Sequence, residues 1–315
     1  MTSDLSGLVR PASDRPGSVE QAFRAGSAVV FTWRRAYSEV TAALRTVEQY
    51  LSTLPVETSF PGADDFAADR QSLWVAATGL GESLSTEPSD IARLDGDVEG
   101  GARGLAMLRR HPESTAALAR LKDELDDGLR AVVNDLGLLA ELPADCLDAM
   151  TVRYRAIRYA PGERDVAGIG VHPDGNVISA LITDQPGLVV LGGPGRVERP
   201  TPEAGTVVMP GTILTRWSDG LLPATVHAVS IVRGDPTKCS VVAFLNFADG
   251  ADVPRSARLT GRTEPFRNDV SRFKRDDMRP DGDLASFYRD RGFVVPDGTG
   301  LRFRTVTELM TPGHT

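Results

Sequence analysis

Two histidines and an aspartate are the residues whose types and spacing point most directly to chemistry in this chain. His172 and Asp174 are two positions apart, and on a strand such residues share one face. His227 follows in VHAV, another strand-like run. Two imidazoles and one carboxylate are the ligand set that holds non-haem iron(II) with open positions, which O2 chemistry requires. The other histidines, His111 and His314, lie outside this region and are expected at the surface.

A cation and a hydroxyl follow this candidate metal group. Lys238 and Ser240 flank Cys239 at the start of a strand-like run, so we expect the first two to share a face and Cys239 to point away. An ammonium group and a hydroxyl donor can together bind a carboxylate. A metal group beside such an anchor suits a 2-oxo acid, whose far carboxylate would meet the cation.

These residues fall in a β-rich region from Met150 to Ala248. Its apolar runs are short, rich in Val and Ile, and broken by Gly and Pro, which is typical of a sandwich or barrel. The runs do not alternate with helical patterns, which argues against a parallel α/β sheet. We therefore predict a mainly β core with helices, an α+β fold.

Other elements must support this core. The patterns predict helices over Ser18–Arg24, from Tyr37 to Leu54, near Ala67–Ala77, over Ser114–Leu142 and from Asp283, with a short β-rich run at Ser27–Trp33. We expect a flexible arm at residues 1–16 and a single domain at 17–315. That domain would comprise a helical support region (17–149), the β core (150–250) and a C-terminal helical tail (251–315).

Composition narrows the function classes. The chain has 315 residues, 41% of them hydrophobic, and a net charge of −8, so nothing marks it for nucleic acid or an anionic membrane. No apolar run approaches the roughly 20 residues of a membrane helix, and the polar start with Pro11 does not read as a signal peptide. We expect a soluble, cytoplasmic protein whose partner is a small-molecule substrate.

Across roughly Arg153 to Phe247 the sequence resembles a family, the isopenicillin N synthase-like branch of the iron(II)/2-oxoglutarate-dependent dioxygenases. Four segments carry the resemblance: YRAIRYAPG with Tyr159 and Pro161; HPDGNVISALITDQPGLVVL with His172, Asp174, Asp184, Gly187, Leu188 and Val190; PGTILTRWSDGLLPATVHAV with Gly211, Trp217, Ser218, Gly220 and His227; and KCSVVAF in place of the family's Arg-x-Ser strand. Their order and spacing agree together.

The resemblance implies a double-stranded β-helix (jelly roll) flanked by a helical N-terminal half and a C-terminal helix. It implies Fe(II) held by His172, Asp174 and His227, and 2-oxoglutarate held by Lys238, Ser240 and Tyr159. The implied activity is oxidation of a specialised small molecule with O2, releasing succinate and CO2. Arg155, Thr183 and Trp217 are further candidates for substrate contact.

The sequence also departs from the family. Lys238 replaces the usual Arg, which keeps the charge but loses the bidentate fork. Ala228 stands where the family often has Arg, and Ile157 stands in place of the Asn of an Asn-x-Tyr motif. Because family halogenases lack the carboxylate, Asp174 argues against halogenation. Hydroxylation, desaturation, cyclisation and epoxidation all stay open.

Three alternative functions stay open as well. A same-fold iron oxidase would use no 2-oxo acid. A non-catalytic jelly-roll module would bind a ligand or partner and need no histidine pair. A zinc hydrolase would suit two His and one carboxylate, but it leaves Lys238 and Ser240 unexplained.

Overall fold

The computed structural model of the protein describes residues 9–11, 17–56, 70–85, 110–161, 165–193, 196–268, 285–296, 298 and 301–310. The strands are β1 (Val9–Pro11), β2 (Ala28–Phe31), β3 (Arg70–Gly79), β4 (Thr151–Tyr159), β5 (Val166–His172), β6 (Ile178–Thr183), β7 (Leu188–Gly193), β8 (Arg196–Glu198), β9 (Thr206–Pro210), β10 (Val226–Ile231), β11 (Lys238–Asn246), β12 (Asp252–Val253), β13 (Phe266–Arg267), β14 (Val294–Pro296) and β15 (Leu301–Phe303). The helices are α1 (Ser18–Arg24), α2 (Tyr37–Leu51), α3 (Leu80–Ser83), α4 (Pro112–Asp135), α5 (Leu138–Glu141), α6 (Ala144–Asp148), α7 (Thr212–Trp217), α8 (Ala257–Thr260), α9 (Ala285–Asp290) and α10 (Val306–Met310), with a 3-10 turn at Pro202–Ala204.

Two facing sheets form the core of the fold. The seven-stranded sheet has the order β1-β2-β9-β6-β11-β4-β3, and the four-stranded sheet has the order β5-β10-β7-β8. From β4 to β11 the chain passes back and forth between the sheets, which places β4, β6, β9 and β11 in the larger and the others in the smaller. This is the double-stranded β-helix, so the predicted fold class is confirmed.

Alternating side chains give the large sheet two different faces. On β11, Cys239 and Val241 pack into the core beneath the helices, whereas Val242 packs toward the small sheet. Helices α2 and α4 cover the first face, where their contacts with β11 and β6 lie. The second face and the small sheet enclose the space between them, and this space holds the candidate site.

The longest helix is shorter than its apolar stripe predicts. Ser114–Leu142 was expected as one helix, but α4 ends at Asp135 and α5 begins at Leu138. Gly137 between them has φ 66°, a left-handed conformation that glycine adopts at helix ends and that breaks the helix. The stripe continues across the break, because Leu136 and Leu138 are both buried in the same core.

The helix predicted near Ala67–Ala77 is wrong. Residues 70–79 form β3, an edge strand paired with β4 along its whole length, and residues 67–69 lie outside the described ranges. Leu73 and Val75 are buried beneath the helices while Trp74 contacts Phe244 on the other face, so the run has period two. The support region thus contributes strands as well as helices.

The N-terminal arm is partly ordered into the sheet. Val9–Pro11, expected to be flexible, pairs in parallel with Ala28–Val30, and the remainder of residues 1–16 lies outside the described ranges. Helix α1 and strand β2 match their predicted positions.

The C-terminal tail packs on the outside of the small sheet. The helix expected from Asp283 is α9, described from Ala285, and a hairpin of β14 and β15 follows it. Tyr288, Phe293 and Phe303 pack with Val226 and Ala228 of β10, so the tail covers the face that points away from the site. The single-domain organisation stays a prediction.

Among the helices within the described ranges, none combines the length and apolar character needed to span a bilayer.

Candidate metal and cosubstrate site

The sheet register brings the two predicted histidine ligands together. His172 ends β5 and His227 lies near the start of β10, and the two residues are direct partners in the antiparallel ladder. Their ring centroids are 4.5 Å apart. Asp174 lies in the turn after β5, where the backbone N–H of Thr212 donates to its carbonyl oxygen at 2.8 Å. Residues far apart in the sequence therefore meet at one point between the sheets.

Backbone carbonyls orient both imidazoles. Nδ1 of His172 lies 2.7 Å from the carbonyl oxygen of Gly170, and Nδ1 of His227 lies 3.1 Å from that of Thr225. A carbonyl oxygen only accepts, so each Nδ1 carries the proton and each Nε2 presents its lone pair. Both lone pairs are directed to the shared space beside Asp174.

The three side chains have the separations of a common ligand set. Nε2 of His172 lies 3.6 Å from Oδ1 of Asp174, and Nε2 of His227 lies 3.8 Å from Oδ2. All three ligand atoms lie within 4.8 Å of one another, and within the described ranges no other three His, Cys, Asp or Glu side chains meet in this way. Imidazole nitrogens with one carboxylate fit a divalent transition metal such as iron(II).

The electrostatics agree with a bound cation. Burial lowers the pKa of His227, which keeps the ring in the neutral form that ligates metals. Burial works to raise the pKa of Asp174, but positive charge on the His227 and His172 rings and the hydrogen bond from the Ser179 hydroxyl outweigh it and hold that pKa well below its usual range. With both rings neutral, a bound metal cation would take the place of that positive charge. An ionised carboxylate facing two lone pairs favours positive charge between them.

A short hydrogen-bonded chain behind Asp174 was missed in the sequence. The Ser179 hydroxyl donates to Oδ2 of Asp174, and Nδ2 of Asn176 donates to the Ser179 hydroxyl at 2.8 Å. These bonds fix the orientation of the carboxylate. The signal for it in the sequence was a small polar residue at an interior-facing position of a mostly apolar strand.

The predicted cosubstrate residues lie together at one end of the space between the sheets. Lys238 pairs with Tyr159 in the register of β11 and β4, and both side chains are buried. Ser240 lies one interior position further along β11, where its hydroxyl donates to that of Thr183 at 3.2 Å. Thr183, considered for substrate contact, thus lies at the cosubstrate end.

The Lys238 ammonium is held by groups of its own chain. Nζ donates to Oδ2 of Asp235 at 2.7 Å and also to the carbonyl oxygen of Pro186. Gly187 makes room for this contact, since a Cβ there would lie 2.8 Å from Nζ and 2.7 Å from the Ser230 carbonyl. Asp235, three residues before Lys238, was not identified from the sequence.

Of the other two substrate candidates, one faces the site and the other does not. Arg155 faces the space between the sheets, where Nη2 donates to the Ser72 hydroxyl at 2.7 Å. Trp217 is 1% exposed and packs in the core beneath the helices, so the geometry gives it no contact with the site.

Cys239 is buried in that same core, facing away from the site as expected. His111 is exposed at the start of α4, and His314 lies outside the described ranges.

Comparisons with known proteins agree with this geometry. Residues 146–247 match the family model described as the 2OG-Fe(II) oxygenase superfamily. This range contains the predicted metal ligands and cosubstrate residues. No match was found among curated proteins.

Solved structures share the fold at low sequence identity. A full-length protein of Neurospora crassa, solved in complex with alpha-KG and 5-formyluracil, is 16% identical with a TM-score of 0.54, covering 87% of this chain and 97% of that one. The rice dioxygenase for auxin oxidation is 19% identical with a TM-score of 0.55, covering 85% and 94%. A putative 2OG-Fe(II) oxygenase family protein from Caulobacter crescentus is 19% identical with a TM-score of 0.54, covering 86% and 98%.

Proposed function

We propose that this chain, whose residues 146–247 match the 2OG-Fe(II) oxygenase family model, is an oxygenase that oxidises a specialised small molecule. Such domains are those of dioxygenases, which are oxidoreductases that use Fe(II), 2-oxoglutarate and O2. The observation that carries the proposal is the convergence of two backbone-oriented Nε2 atoms on the Asp174 carboxylate.

In this proposal His172, Asp174 and His227 hold the iron. Iron(II) with 2-oxoglutarate supplies the activation of O2, and the cosubstrate leaves as succinate and CO2. The chain's own contribution is positioning. The Gly170 and Thr225 carbonyls hold the imidazoles, Ser179 holds the carboxylate, and the apolar walls between the sheets exclude water from the reacting groups.

Lys238, Ser240 and Tyr159 would receive 2-oxoglutarate. Lys238 is a cation 3% exposed at one end of the space, with the Ser240 hydroxyl on the same face. A carboxylate bound there would gain a charge-assisted contact away from solvent. Tyr159 forms the wall beside them, packed against Ile231.

We place the chain in the isopenicillin N synthase-like branch on its quoted motifs, and its substrate in secondary metabolism. The relatives solved with 5-formyluracil or named for auxin oxidation act as analogies for a small organic substrate. Hydroxylation, desaturation, cyclisation and epoxidation are all compatible with the same site.

The test is an anaerobic titration of the purified protein with Fe(II) and 2-oxoglutarate. We expect a metal-to-2-oxoglutarate charge-transfer band with about one iron per chain. His172→Ala and His227→Ala should each abolish the band while the far-ultraviolet circular dichroism stays unchanged. His111→Ala removes an exposed histidine and serves as the matched control. A normal band in either ligand variant would disprove the assignment, and zinc in place of iron would favour the hydrolase.

One observation favours a second candidate, the same-fold oxidase that uses no 2-oxo acid. The Lys238 ammonium is already paired with Asp235 and Pro186. Succinate formation with substrate present distinguishes the two, because only the 2-oxoglutarate-dependent enzyme releases it.

A further inference from the structure

Two arginines project from β4 into the space between the sheets. Val152, Tyr154 and Ala156 are buried in the core beneath the helices. Alternation therefore places Arg153 and Arg155 on the opposite, interior face. Two successive cations on the interior face of a strand call for an explanation, because charged side chains are seldom buried without a partner.

The register places these arginines level with the metal group. Arg153 pairs with Phe244 of β11, and Phe244 pairs with Ser179 of β6, the residue that donates to Asp174. Two strand spacings put the Arg153 and Ser179 backbones roughly 10 Å apart. Lys238 lies at the opposite end of β11, so Arg153 and the cosubstrate anchor are distinct sites.

The charge around Arg153 is not balanced by the sheet that carries it. On β2, β9, β6, β11, β4 and β3, the described interior-facing positions include no Asp or Glu. Nε of Arg153 is buried and has no hydrogen-bond partner among the described residues. A buried guanidinium donor without an acceptor is costly, and a bound anion would satisfy it.

Aromatic rings lie beside these cations. The Trp74 and Phe244 ring centroids are 5.7 Å apart, and the Arg155 guanidinium lies 5.3 Å from the Trp74 ring centre. Arg155 is held in place by that contact and by its bond to Ser72. The two rings are inclined at 48° to each other and offer an apolar surface beside Arg153, the register partner of Phe244.

We propose that Arg153, with Arg155 beside it, binds the carboxylate of an anionic substrate whose apolar body lies on Trp74 and Phe244. The guanidinium fork fits two carboxylate oxygens, and the aromatic pair fits a planar or aliphatic body. This inference deepens the proposed function and rests on it, because it orients the substrate with its uncharged part toward the metal group.

The test uses two probes of the same shape, 1-naphthylacetate and 1-naphthylacetamide, which differ in having a charged carboxylate or a neutral amide. Each is titrated calorimetrically and anaerobically into protein saturated with Fe(II) and 2-oxoglutarate, so that Lys238 is already occupied. We expect the acid to bind more tightly than the amide, by on the order of tenfold. Arg153→Gln should abolish the preference, and Arg153→Lys should retain part of it.

Arg233→Gln removes the same charge from an exposed loop position and should leave the preference intact. Equal binding of acid and amide, no binding of either, or a preference that survives in Arg153→Gln would overturn the inference. The charge-transfer band is recorded before either probe is added, so a missing band would show that the proposed function is wrong, independently of how the probes bind. If that band is missing, the same titration of metal-free protein still tests Arg153.

Discussion

The Lys238 ammonium lies 2.7 Å from the Asp235 carboxylate, so the cation predicted to anchor 2-oxoglutarate is neutralised by its own loop. Burial works to raise the pKa of Asp235, but the hydrogen bond from Lys238 outweighs it and the pKa is lowered. Asp235 is therefore ionised near neutral pH. A dicarboxylate that binds Lys238 has to compete with it.

Asp235→Asn should tighten 2-oxoglutarate binding. The amide keeps an oxygen near Lys238 but has no charge, so it competes less well with the cosubstrate carboxylate. We expect a decrease in Kd of roughly twofold to fivefold, the range of a partly exposed ion pair. The Kd is measured by titrating the charge-transfer band with 2-oxoglutarate under anaerobic conditions.

Asp165→Asn is the matched control for this variant. Asp165 is exposed and accepts from the backbone N–H of Arg233, a bond that an amide oxygen can keep. It should leave the Kd unchanged. An unchanged or larger Kd in Asp235→Asn would mean that Asp235 positions Lys238 and does not compete for it.

Ser179→Ala should weaken iron binding without removing a ligand. The Ser179 hydroxyl is the donor that fixes Oδ2 of Asp174, and supporting groups of this kind are worth about 10–100-fold in metal affinity. The measurement is competition for Fe(II) with a chelator of known affinity. Ser52→Ala, on the exposed end of α2, should bind iron as the wild type does. Equal affinity in both variants would show that the turn alone holds Asp174.

The parts of this site that could be predicted are those that depend on residue types and on the local spacing of apolar residues. The spacing of two keeps His172 and Asp174 close together, although Asp174 lies in the turn after β5 and not on the strand as expected, and the Val- and Ile-rich runs predict strands. The position of β3 was missed because Ala76 and Ala77 suit a helix, and pairing with β4 decides the outcome. The contact of Asp235 with Lys238 depends on a turn conformation, which the pattern of apolar residues does not specify.

Phe303→Ala should destabilise the protein and weaken iron binding together. Phe303 is 6% exposed and packs with Tyr288 at a centroid distance of 5.2 Å, in the cluster that includes Val226 and Ala228 on either side of His227. Loss of a buried Phe costs about 3–5 kcal/mol. Urea unfolding and Fe(II) competition measure the two effects. Leu221→Ala, at an exposed position, should change neither. A destabilised variant with normal iron affinity would show that packing of the tail does not support the metal site.

The last prediction concerns Asp126, which is buried between α4 and β4 on the helix-covered side of the large sheet. Lys122 Nζ lies 2.6 Å from its Oδ2, and the Tyr154 hydroxyl donates to its Oδ1. Burial raises the pKa of Asp126 from 3.8 to about 6 despite these partners. The protonated carboxyl is therefore favoured in the folded state relative to the unfolded chain.

The sign of the pH effect follows from linkage. Above about pH 6 the Asp126 carboxyl is ionised in both the folded and the unfolded state, and burying the charge lowers the free energy of unfolding. This loss disappears as the pH falls toward 4, because the carboxyl becomes protonated in the folded state. Relative to Asp126→Asn, the wild type should therefore gain on the order of 2 kcal/mol in free energy of unfolding between pH 7 and pH 4. Asp148→Asn, an exposed control in α6, should show no such gain. A constant difference between the wild type and Asp126→Asn over this range would mean that Lys122 keeps the carboxylate ionised throughout.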